Sequence, residues 1–66
     1  MITYAKRIPG ILKSNGLPDA PEAPIDAQWI ASSDDWWVRT EKSWYWFDNR
    51  GAGAWKPAPY GPPGWR

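Results

Sequence analysis

From Asp35 to Pro59 the chain reads DWWVRTEKSWYWFDNRGAGAWKPAP, and its apolar positions come in short aromatic and β-branched runs separated by polar breaks. Trp36–Thr40 has the composition of a strand. Glu41-Lys42-Ser43 is polar and short, as a hairpin loop should be. Trp44–Asp48 is almost entirely aromatic, and Asn49-Arg50-Gly51 supplies the next turn. Ala52–Lys56 then reads as a third strand. Pro57 and Pro59 cannot donate to a ladder, so they are expected to close it. The pattern predicts a three-stranded antiparallel meander over about residues 35–57.

The flanks carry no such rhythm. Ile2–Ile8 is a short β-branched and aromatic segment that ends at the turn pair Pro9-Gly10, and Asn15-Gly16 is a second turn signal because both residues accept positive φ. Residues 1–24 therefore read as a ragged hairpin or an extended arm. Within them, LPDAPEAP places prolines at 18, 21 and 24, the three-residue repeat of polyproline II. Asp26 can cap a short helical turn over 26–33 that turns Trp29 and Ile30 inward, with a short strand as the alternative. The tail, residues 60–66, is too rich in proline and glycine for regular structure. Its Tyr60 and Trp65 must dock on the sheet or meet a partner. The expected fold class is thus mainly β. It has a small meander with its lead-in at 25–59, proline-rich extended arms and one short helical turn.

Composition sharpens this picture by exclusion. There is neither cysteine nor histidine in the 66 residues. That removes disulfides, zinc thiolates, thiol nucleophiles and the usual general base. No cofactor is expected. Formal net charge is +1. Lys6, Arg7 and Lys13 balance Asp19, Glu22 and Asp26 in the first half. The remaining cations are interleaved with Asp34, Asp35, Glu41 and Asp48 in the second. Duplex nucleic acid usually demands a denser basic field. The apolar runs are too short for a membrane span or a signal peptide. The expected setting is cytoplasmic or virion-associated. Asp34-Asp35 and Asp48 are the only carboxylates near the aromatic cluster, and so small a domain offers little wall for a catalytic cleft. We expect no enzyme activity.

Seven tryptophans remain to be explained, six of them between Trp29 and Trp55. Alternation along the second strand sends Trp44, Trp46 and Asp48 to one face and Tyr45, Phe47 and Asn49 to the other, so both faces are aromatic. With Trp36 in the first strand, Trp46-Phe47 then Asn49 in the second, Trp55 in the third and a proline just after, the segment resembles a WW domain. The resemblance covers residues 35–59. It implies a small structural buckle of Trp36, Phe47 and Pro57 or Pro59. It also implies a groove of Trp46 and Trp55 that accepts proline, with Tyr45 and Arg50 at its periphery. Arg50 stands where the family has histidine, the first-loop glycine is replaced by Glu41-Lys42-Ser43, and the last loop is shorter than usual.

Two uses of the rings compete. The groove can take an external proline-rich segment, or the chain's own segments at 17–24 and 57–63 can cap it. Trp37, turned away from Trp36, is either an interface anchor or packed on Trp29 or the N-terminal segment. Removal of Trp36 should unfold the domain, whereas Trp55 as a binding plate should be dispensable for folding. The expected function is non-catalytic protein binding through exposed tryptophans. The alternative is an assembly role, as a homo-oligomer or part of a larger particle such as a viral decoration protein, or a phage-encoded inhibitor of a host protein. Single-stranded nucleic acid and sugars are less favoured ligands for the same rings.

Overall fold

The structure, a computed structural model, describes residues 4–66. One helix, α1 (Tyr4–Ser14), precedes four strands: β1 (Pro24–Ile30), β2 (Asp35–Thr40), β3 (Trp44–Asp48) and β4 (Ala54–Ala58). The strands form one antiparallel sheet in the order β1-β2-β3-β4. The sheet is mainly the expected meander, with a fourth strand ahead of it.

The first correction falls on residues 4–16, where α1 replaces the expected arm or hairpin; residues 1–3 of that arm lie outside the described residues. Pro9 lies inside the helix and Gly10 follows it. An interior proline costs about 3 kcal/mol, and glycine adds about 1 kcal/mol relative to alanine. Both are exposed. Ile8 and Leu12, one turn apart, are 0 % and 1 % exposed. Burying each is worth about 1.5–3 kcal/mol, enough to offset the two breakers. Asn15-Gly16 needs positive φ as expected, but for a different purpose. Gly16, at φ 77°, ends the helix. Its N–H donates to Lys13 O at 3.0 Å, and Leu17 N–H donates to Leu12 O at 2.9 Å. That pair of bonds is a Schellman cap, with Leu17 folding back onto the core.

The second correction is at Asp26, which caps no helical turn. Its Oδ1 accepts the N–H of Ala27 at 2.8 Å within a strand. β1 pairs with β2 through Ala27↔Val38 and Trp29↔Trp36, and the register shifts between Pro24 and Asp26. This bulge leaves Ile25 without a partner and bends the strand's first residues. The carbonyl of Ala27 accepts the Tyr4 hydroxyl at 3.3 Å, so both backbone groups of Ala27 on this edge strand are held by side chains. At the opposite edge, Pro57 lies within β4 paired with Tyr45, instead of ending the ladder. An edge strand tolerates this because proline's missing N–H can face outward.

Turn chemistry sets the registers. Arg39↔Trp44 leaves only Glu41-Lys42 beyond the Thr40–Ser43 pair. This loop needs no glycine, because the Thr40 hydroxyl oxygen accepts the N–H groups of Lys42 and Ser43 at 3.2 and 3.0 Å. The β3–β4 loop is longer. Asp48 Oδ1 accepts Gly51 N–H at 2.9 Å, and Gly53 adopts φ 68°.

Parity then sorts the sheet into two faces. Ala27, Trp29, Trp36, Val38, Thr40, Tyr45, Phe47, Trp55 and Pro57 share the face under α1. Its core is Ile8, Leu12, Ala27, Val38, Phe47 and Trp55. Asp26, Gln28, Ile30, Trp37, Arg39, Trp44, Trp46, Asp48 and Lys56 share the other. Two proline-rich spans cross the sheet, one on each face. Residues 17–23 cross the inner face from β4 to β1: Pro18 O accepts the Trp55 indole N–H at 3.0 Å, and Glu22 reaches Thr40 and Tyr45. Residues 59–66 cross the other face, from β4 back to β1.

Candidate functional site: the tryptophan face

The second face is built by Trp37, Trp44 and Trp46. Trp37 pairs with Trp46 and with Gln28 across the ladders, and Trp44 pairs with Arg39. All three rings are half-buried. Trp37 is fixed by its indole N–H, which donates to Ser33 Oγ at 2.9 Å. At the far end Lys56 Nζ lies 3.2 Å from Asp48 Oδ2, and this ammonium holds the Asp48 carboxyl below the usual carboxylate range.

The tail is seated on this face by two kinds of contact. The first is ring packing. Gly61 passes so close to the Trp44 indole that a Cβ there would sit 2.8 Å from Cη2 and Cζ2. Only glycine permits that approach. Pro62 is buried, and the Trp65 ring meets Trp44 edge-on, centroids 4.7 Å apart with planes at 89°. The second kind is polar and reads the tail's backbone. Gln28 Nε2 donates to Arg66 O at 2.9 Å, while Gln28 Oε1 accepts Arg66 N–H at 3.2 Å. Ser32 Oγ donates to Pro63 O at 3.0 Å. Neither polar contact depends on the tail's side chains. Rings that take flat apolar residues, with an amide and a hydroxyl that take main-chain groups, suit an extended proline- and glycine-rich segment.

The residues expected to form a binding groove are divided by the sheet. Phe47 pairs with Trp55, and Trp46 pairs with Lys56. Trp46 and Trp55 therefore point to opposite faces and form no common groove. Trp55 is 9 % exposed, its ring 5.3 Å from Phe47. Tyr45 shares that inner face, and its hydroxyl donates to Glu22 Oε1 at 3.1 Å. Burial first, then the neighbouring Glu22, push the Tyr45 phenol up from its ordinary value. Arg50 sits at a loop tip, 3.1 Å from Asp34 Oδ2, with both side chains exposed. Of that set Trp37 and Trp46 come together on the second face, and Trp55 and Tyr45 on the inner one. The expected buckle residues share the inner face and differ in burial: Phe47 is buried, Trp36 is half-buried against the core, and Pro57 is exposed.

Gln28, Ser32, Trp44 and Gly61 carry the tail and were not singled out by sequence reasoning. Loop length was the available signal. A two-residue turn at Glu41-Lys42 places Trp44 on the same face as Trp37, and a five-residue turn after Asp48 places Trp55 on the face of Phe47.

No family model matches this chain, and neither a curated protein nor a solved structure matches it. What it shares with the WW plan is the small antiparallel sheet. No helix among the described residues is long and apolar enough to cross a membrane. No group of three or more His, Cys, Asp or Glu side chains among them could hold a metal ion.

Proposed function

We propose that the protein is a non-catalytic protein-binding module that grips extended proline-rich segments on the face of Trp37, Trp44 and Trp46. In this reading the resemblance to a WW domain is one of use, and the binding face is formed by different rings. One observation carries it: the chain's own APYGPPGWR tail lies on that face as such a segment would, with Gly61 on Trp44 and Gln28 bonded to the Arg66 backbone. The tail is then a resident ligand that an outside segment must displace. A tethered ligand has an effective concentration of about millimolar, so external peptides compete at a disadvantage.

The test is a fluorescence titration with a peptide of the sequence of residues 57–66. The whole chain and a Trp65→Ala variant, whose tail has lost its ring contact, are compared. The variant should bind at least tenfold more tightly than the parent chain. If no proline-rich peptide shifts the spectrum of either protein, the reading fails. Sedimentation as a stable oligomer in that case would favour the assembly role.

A further inference from the structure

A second recess lies away from the tryptophan face and is independent of it. It is an open groove of about 910 Å³ between α1, the start of β1 and the β2–β3 turn. That volume is within the range of small-ligand sites. The bulge at Ile25, between the Pro24↔Thr40 and Asp26↔Arg39 pairs, shapes one side. Ala5 and Pro9 of α1 face Ala23 and Pro24, giving apolar walls.

The groove contains one carboxylate held in a fixed place. Glu22 Oε1 accepts the Thr40 hydroxyl at 2.9 Å and the Tyr45 hydroxyl at 3.1 Å. Glu22 Oε2 has no hydrogen-bond partner, and no cation lies within salt-bridge distance of Glu22, among the described residues. Two hydroxyl donors pin the group, and its second oxygen stays open to the groove. The other charges at the groove are Lys6, Glu41 and Lys42, all exposed on its rim. The lysines are long and mobile, and Glu41 offsets one of them.

The geometry points to a binding site for a lysine side chain of a peptide partner: its ammonium on Glu22 Oε2, its four-carbon stem along Ala5, Pro9 and Ala23. An ammonium is a compact donor that suits a single free oxygen, whereas a guanidinium fork seeks two. The aliphatic stem gains from apolar walls while the head stays polar. A single lysine leaves part of the volume unfilled, which neighbouring peptide residues would occupy.

Amide chemical shifts of the whole protein test this with acetyl-Ala-Lys-Ala-amide as probe. Shifts should centre on Ala5, Ala23 and Thr40. The norleucine analogue, which keeps the stem and lacks the ammonium, should bind at least tenfold more weakly. Glu22→Gln keeps an oxygen for Thr40 and Tyr45 and should lose binding by a similar factor. Lys6→Ala, which removes a like charge, should tighten it. The site is refuted by equal binding of the lysine and norleucine peptides, or by shifts confined elsewhere. Pentylammonium binding as tightly as the peptide would refute the peptide partner. The two-peptide comparison uses the unaltered chain, so it stands even if a variant fails to fold. The readout residues lie away from the tryptophan face, so failure here leaves the tail site untouched.

Discussion

Two proline-rich spans cross the same small sheet on opposite faces, and they are held in different ways. Residues 17–23 lie between α1 and β1, and their anchor, the bond from Trp55 to Pro18, borders the core of Ile8, Leu12, Val38 and Phe47. Residues 59–66 follow β4, pack on Trp44 and bond to Gln28 and Ser32, with Pro62 buried. Both use a tryptophan as platform. The first platform, Trp55, belongs to the buried core, while the second, Trp44, is half-buried and holds the tail that we propose an outside segment displaces. In the proposed reading, similar composition therefore gives a structural strap on one side and an exchangeable occupant on the other.

The largest test of that contrast is Trp55→Ala. Emptying a buried aromatic site costs about 3–5 kcal/mol, which in so small a domain is most or all of the available stability. The variant should be unfolded by circular dichroism. Trp36→Ala, at a half-buried ring, should remain folded with a lower melting temperature. That inverts the order expected from the strand pattern alone. If Trp36→Ala is the unfolded one, the assignment of core and platform is backwards.

Next comes Gly16→Ala. It forces an alanine into a left-handed conformation that costs about 1–2 kcal/mol. The melting temperature should fall, and because Gly16 launches the strap, protection of the Trp55 indole N–H from exchange should fall with it. Gly61→Ala is milder for the fold, below about 1 kcal/mol. It should lift the tail and expose Trp44 and Trp65 to acrylamide quenching while the far-ultraviolet spectrum stays the same. An unchanged quenching profile would mean that the tail is not seated through Gly61.

The smallest effect is in the pH dependence, where the faces differ in sign. On the tail side Asp48 has a lowered pKa, caused first by Lys56. Its contribution is present above the ordinary carboxylate value and is lost as pH falls through the lowered one. Lys56→Ala should flatten the acid limb of thermal stability. On the core side the Tyr45 phenol is raised, first by burial and then by Glu22. Its contribution is present below about pH 10 and is lost as pH rises through the raised value. Tyr4, raised by burial and then by Asp26, adds to the same alkaline limb, so Tyr45→Phe should flatten it only in part.

The second and third strands were legible because aromatic and β-branched residues there alternate between clean polar turns. The last strand was found two residues early, since Pro57 reads as a terminator and only its place at a sheet edge permits it. α1 was not expected, and β1 stood only as the alternative to a helical turn, for a common reason: each signal has two physical uses. An aspartate beside an apolar run can cap a helix or satisfy a strand N–H, as Asp26 does for Ala27. A glycine with positive φ can turn a hairpin or end a helix, as Gly16 does. Local sequence sets the backbone requirement, and tertiary burial of Ile8 and Leu12 decides which element uses it. The pairing of Trp46 with Trp55 failed at the next level up. Parity within one strand was readable, but parity between strands depends on loop registers that propensity does not encode.

The sheet's margins have a consequence for how this tryptophan-rich chain behaves at high concentration. Open sheets invite copies to join end-on as further strands, the first step toward fibrils. Here Asp26 and Tyr4 occupy the main-chain groups of Ala27 on one margin, and proline interrupts the other. Growth by strand addition is thereby discouraged at both sides, so the protein can carry large indole rings on its faces without offering a template along its borders.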